Sequence, residues 1–98
     1  MKSTQLFVVA TAFMACISAA NAADWQVRRN NGNGACSLQP SDSQPILGKL
    51  LATKPTKKEA CTAAKELKTD DQGDTNKCQT YTNNSVAICH AEGVDLQQ

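Results

Sequence analysis

The chain has 98 residues, ten basic against nine acidic and a formal net charge of +1, which rules out a strongly polyanion-binding composition. Only 4% of residues are aromatic, while five are cysteine, so a large aromatic core is excluded and cysteine chemistry becomes the leading structural question.

Residues 1–22 read as a removable leader. Met1 and Lys2 give a positive start, residues 6–16 form a compact apolar run, and Ala20-Asn21-Ala22 supplies the small-x-small pattern at which signal peptidase cleaves. The apolar run is too short to cross a bilayer as a helix. Cys16 invites a lipoprotein reading, but Met14 stands where a lipobox places a small residue. Cleavage after Ala22 leaves one small domain, residues 23–98, without any Phe or Met and with Cys36, Cys61, Cys78 and Cys89. The Ala-Asn-Ala signal is of a bacterial kind and points to the periplasm or the medium.

Four cysteines in a short exported chain read as a disulfide framework. The mature segment keeps Trp25, Tyr81 and eleven large aliphatic residues, a thin core. Two bridges at roughly 2–4 kcal/mol each then carry much of the net stability. Of the three possible pairings, Cys36–Cys61 with Cys78–Cys89 is favoured, tying a hairpin to the main helix and a strand to the helix after it.

In chain order, Trp25-Gln26-Val27-Arg28 alternates apolar and polar as a half-buried strand does. Asn30-Asn31-Gly32-Asn33-Gly34 is the strongest turn signal, and Ala35-Cys36-Ser37-Leu38-Gln39 alternates again. The pattern predicts a β-hairpin with Trp25, Val27, Cys36 and Leu38 inward. No strand-to-helix step with Lys-Ser/Thr follows this turn, which argues against a phosphate cradle. Residues 40–45 are a loop by composition. Residues 46–52 are ambiguous between helix and strand; Gly48 within and Pro55 beyond favour a strand.

Thr56 opens the clearest helix, with Glu59 three residues on as a capping box. Ala60, Ala64 and Leu67 recur at helical spacing beside Cys61, and Lys65 and Lys68 suit the helix end. Small alanines on this face predict close approach to a sheet. Residues 70–76 are a polar loop, residues 78–82 a strand, and Asn83 or Asn84 caps a short helix over 85–92 ended by Gly93. Val94 and Leu96 close the chain as a packed tail. The order implies an α+β domain: a short antiparallel sheet, a hairpin plus one or two further strands, packed by one main helix and one short C-terminal helix.

Charge is uneven along the chain. Residues 23–69 carry eight basic and four acidic residues, residues 70–98 one and five. The simplest expectation is that the two sets intermix on the folded surface.

No motif carries a chemistry. The cysteine gaps are too long for a zinc site, no Cys-x-x-Cys supports redox exchange or haem attachment, and Cys89-His90 diverge on a helix. Asp70, Asp71 and Asp74 resemble a calcium loop, but the EF-hand register fails: Thr75 stands at position six and Tyr81 at position twelve. His90 is the single histidine, and Ser85 lies five residues before it without a visible third partner. Asn83-Asn84-Ser85 matches a glycosylation sequon, relevant only in a eukaryotic host.

The expectation is therefore a non-catalytic binding domain without cofactor or metal, monomeric, with no membrane span and no nucleic-acid partner. A protein is the partner class considered. The candidate contact surface is the hairpin tip: Arg28, Arg29, Asn31, Gly32 and Asn33. The alternatives are an inhibitor or secreted effector acting on a foreign hydrolase through that tip, and, less favoured, a very small enzyme.

Overall fold

The computed structural model describes residues 23–43 and 48–97. The leader, Cys16 and the Ile46–Leu47 part of the ambiguous run lie outside the described residues. The elements are β1 (Trp25–Arg29), β2 (Ala35–Pro40), β3 (Lys49–Lys54), α1 (Lys57–Glu66), β4 (Thr80–Tyr81) and α2 (Asn83–Ala91). The four strands form one sheet in the order β3-β1-β2-β4, with two helices and two disulfides, so the chain is an α+β disulfide-stapled domain.

β1 and β2 form the expected hairpin, in register Val27↔Leu38 and Arg29↔Cys36. Strand alternation puts Val27, Cys36 and Leu38 in the core, and Trp25 packs half-buried against it. The turn closes through Asn30 N–H to Ala35 O and Gly34 N–H to Asn30 O, both 2.8 Å, with Gly34 at φ 72°. A side chain at Gly34 would also strike Gln79, so two constraints select glycine there.

β3 settles the ambiguous run as a strand, from residue 49 onward, antiparallel to β1. A register shift between Val27 and Arg28 lets two residues of β3 face one step of β1. β3 begins behind Gly48, at φ 133°, where a Cβ would strike the Arg29 carbonyl.

α1 starts as its capping signature requires. Thr56 Oγ1 accepts from Glu59 N–H at 3.1 Å and donates to the Glu59 carboxylate at 3.0 Å. Ala60, Cys61 and Ala64 are its buried stripe, and their small size brings the helix close to β1 and β3.

The last strand differs from expectation. β4 is two residues long and runs parallel to β2, pairing Ala35↔Thr80 and Cys36↔Tyr81, so the sheet is mixed. Cys78 instead pairs with the end of α1: its N–H donates to Leu67 O at 2.8 Å and its carbonyl accepts from Thr69 N–H at 2.9 Å. Beyond β4, Thr82 N–H continues the ladder to Cys36 O at 3.1 Å. The α2 cap is Thr82, not Asn83 or Asn84, because the extended backbone of β4 persists through Thr82 (φ −67°, ψ 152°). Its hydroxyl accepts from Ser85 N–H and donates to Ser85 Oγ at 2.8 Å. Ser85 Oγ in turn accepts from Leu38 N–H at 2.9 Å, satisfying a β2 donor that β4 is too short to reach. Gly93 ends α2 at φ 82°, and Leu96, in the segment beyond it, is fully buried in the core.

The disulfides correct the favoured pairing. Cys36 joins Cys78, and Cys61 joins Cys89, each at a Cα–Cα distance of 5.5 Å. The parallel approach of residues 78–81 to β2 sets Cys78 beside Cys36. The packing of α2 on α1 sets Cys89 opposite Cys61. One bridge therefore fastens the sheet edge and the other fastens helix to helix. Among the described residues no helix is long and apolar enough to cross a membrane.

Candidate recognition surface

Three loops meet at one end of the sheet: the hairpin tip at 30–34, the entry to β3 at 48–49, and the loop at 70–77. Gln79 holds two of them together. Its N–H donates to Gly34 O at 3.1 Å. Its side-chain Nε2 donates to the carbonyls of Asp71 and Asp74, both at 2.9 Å. Its Oε1 accepts from Arg29 Nη2 at 2.8 Å and Nε at 3.2 Å. Both ends of one amide are used, Nε2 on the 70–77 loop and Oε1 on Arg29 of β1, while the backbone N–H holds the hairpin tip.

This corrects the place given to Arg29. It is not on the exposed surface: it is 5% exposed, faces the helix side of β1, and donates to Lys77 O at 3.0 Å as well as to Gln79. Strand alternation puts the adjacent Arg28 on the opposite face. There Arg28 is half-buried and donates to Gly48 O and to Gln26 Oε1, both at 3.2 Å, bracing β1 against the entry to β3. Neither arginine is free to greet a partner with its whole guanidinium.

The rest of the expected tip is exposed. Asn31, Gly32 and Asn33 all face solvent. Asn30 Oδ1 accepts from Gly32 N–H at 2.7 Å and Asn33 Oδ1 from Ala35 N–H at 2.9 Å, so asparagine side chains stand in for backbone partners and fix the turn. Lys49 Nζ reaches across from β3 to donate to Asn76 Oδ1, closing the third side.

The carboxylates of the 70–77 loop serve the same purpose. Asp71 Oδ1 accepts from Gly73 N–H at 2.9 Å and Asp74 Oδ1 from Asn76 N–H at 3.0 Å. Two side chains that sequence offered as cation ligands are thus spent on local turns. Among the described residues no group of three or more His, Cys, Asp or Glu is placed to hold a metal ion.

The residues weighed for catalysis are not brought together. Ser85 is 1% exposed and its hydroxyl is engaged by Thr82 and Leu38. His90 is exposed near the end of α2, and a five-residue spacing turns it roughly 140° away from Ser85 around the helix. What the loop end offers is a rim of amides, Asn33 and Asn76 held by hydrogen bonds and Asn31 exposed at the tip, among charges of both signs from Lys49, Lys77, Asp70 and Asp71.

The sequence gives no sign that Gln79 takes part, nor that Lys49 meets Asn76. Gln79 sits in a polar position of a short strand pattern, and only the parallel docking of its segment reveals two loops within its reach. Compared with known families, curated proteins and solved structures, the chain matches none.

Proposed function

We propose that this chain is an exported domain that works by binding, presenting the hairpin tip and the 70–77 loop to a protein partner in the periplasm or the medium. The observation that carries the reading is the Gln79 bridge. One buried-side amide fixes Arg29 and the carbonyls of Asp71 and Asp74 while leaving Asn31, Gly32 and Asn33 exposed. Loops already ordered in the free protein lose less entropy on association, which favours binding without adding contacts. The Cys36–Cys78 bridge supports the reading, because it fastens the segment carrying Gln79 to β2. The leader-like residues 1–22 and two buried disulfides support export. The engagement of Ser85 in holding β2 to α2 weighs against nucleophilic use of that hydroxyl.

The test compares capture of periplasmic or extracellular proteins by the immobilised, oxidised chain and by two variants. Asn31→Arg at the tip should reduce capture at least tenfold, and Lys65→Glu on exposed α1 should leave it unchanged. Equal capture by all three would contradict the reading, as would substrate turnover abolished by His90→Ala.

A further inference from the structure

β3 is the outer strand of the sheet, and no described strand lies on its far side. Its residues are Lys49, Leu50, Leu51, Ala52, Thr53 and Lys54, with a lysine at each end and no acid between. Leu50 is 44% exposed, the exposed large apolar side chain of the described surface. A strand edge of this kind offers a row of N–H and C=O groups to an added chain.

Beside it lies a shallow open depression of about 230 Å³, lined by Lys54 of β3 and by Glu59, Thr62, Ala63 and Glu66 of α1. Those four α1 residues follow at i, i+3, i+4 and i+7, one stripe flanking the buried stripe of Ala60, Cys61 and Ala64. α1 therefore supplies a floor next to the sheet edge, where side chains of one more strand would fall. Strand-addition sites combine these two parts: main-chain hydrogen bonds along an edge and a recess for alternate side chains.

Charge selects the occupant. A second copy pairing antiparallel through β3 would set Lys49 against the partner copy's sixth strand residue, Lys54, at both ends. Parallel pairing would set each lysine beside its own counterpart. Like charges directly opposite are unfavourable in either register. We propose that β3 is a docking edge for an extended segment of another protein, with acidic residues facing Lys49 and Lys54 at the strand ends and one uncharged side chain entering the depression on α1, whose Glu59 and Glu66 close it to an acid. This surface meets the loop end at Lys49, whose Nζ donates to Asn76, but Lys54 and the depression lie outside that end, so either surface can fail without the other.

Because six residues of β3 span five of β1, Lys49 and Lys54 share one face, and the test uses the oxidised, isotopically labelled chain and two end-blocked peptides, Asp-Val-Thr-Val-Asp and Lys-Val-Thr-Val-Lys, whose end residues also share one face. Acids at both ends make the first indifferent to strand direction. It should shift and protect the β3 amides that face away from β1, with the lysine-ended peptide binding at least tenfold more weakly. Lys54→Glu should narrow or reverse that preference, and the site is exposed, so the fold is kept. Equal binding of the two peptides, or no perturbation of β3 at millimolar peptide, overturns the proposal. So do β3 edge amides already protected in the free chain, or self-association through β3.

Discussion

Arg29 and Tyr81 show how single side chains tie the thin core to its periphery. Arg29 spends its guanidinium on a carbonyl and a neutral amide, so its charge organises loops without needing a carboxylate. Long basic side chains bury their stems readily, and the inward register of β1 gives this one no other course. Tyr81 lies in the core with its hydroxyl donating to Ala64 O in the last turn of α1, a link from β4 to the helix. Burial pushes its pKa up from 10.0 to about 12, because the phenolate would lose its water. The folded state thus favours the neutral phenol. This contribution is fully present below pH 10 and is lost as pH rises through about 12. Tyr81 is the chain's single tyrosine, so phenolate absorbance reads it alone. The folded protein should titrate near pH 12, and the reduced, unfolded chain near the ordinary value. A folded-state midpoint at the ordinary value would show that the hydroxyl is open to solvent.

At the scale of elements, the legible ones were those whose signals are local. The Asn/Gly turn, the Thr56–Glu59 box and the Ala60–Ala64 stripe each act within a few residues, and each appears where the pattern puts it. Thr56→Ala should cost about 1 kcal/mol, lowering the thermal midpoint by roughly 4–8 °C in oxidised protein. An unchanged midpoint would mean that packing against β1 and β3 holds the first turn without its cap. β4 was misjudged because its length is set by its neighbour. Cys78 is drawn to the end of α1, Thr82 hands over to α2, and only Thr80 and Tyr81 remain to pair with β2. The α2 cap followed the same logic. Thr82, Asn83 and Asn84 all suit a cap, and the choice fell to the residue still extended where β4 ends. The expected tip surface was half legible for a related reason. Alternation could have separated Arg28 from Arg29, but nothing local says that Gln79 waits on one side.

At the scale of the whole molecule, the sheet order decides what sequence could not. β2 and β3 run parallel with β1 between them, and β4 joins the far edge parallel to β2. That order brings the acidic 70–77 loop to the hairpin tip and to Lys49, so the charges separated along the chain mix in space. Lys57 extends the mixing at α1, 4.0 Å from Glu92 and 5.3 Å from the centre of the Trp25 ring. It also decides the cysteine partners. Residues 78–81 lying against β2 build the loop end, and α2 lying against α1 closes the core. Non-reducing peptide mapping with combined cleavage after Lys and Tyr81 tests both at once, since cutting after Tyr81 separates Cys78 from Cys89. The expected result is one linked pair containing Cys36 with Cys78 and another containing Cys61 with Cys89. Recovery of Cys36 linked to Cys61, or of free thiols in correctly folded protein, would contradict it.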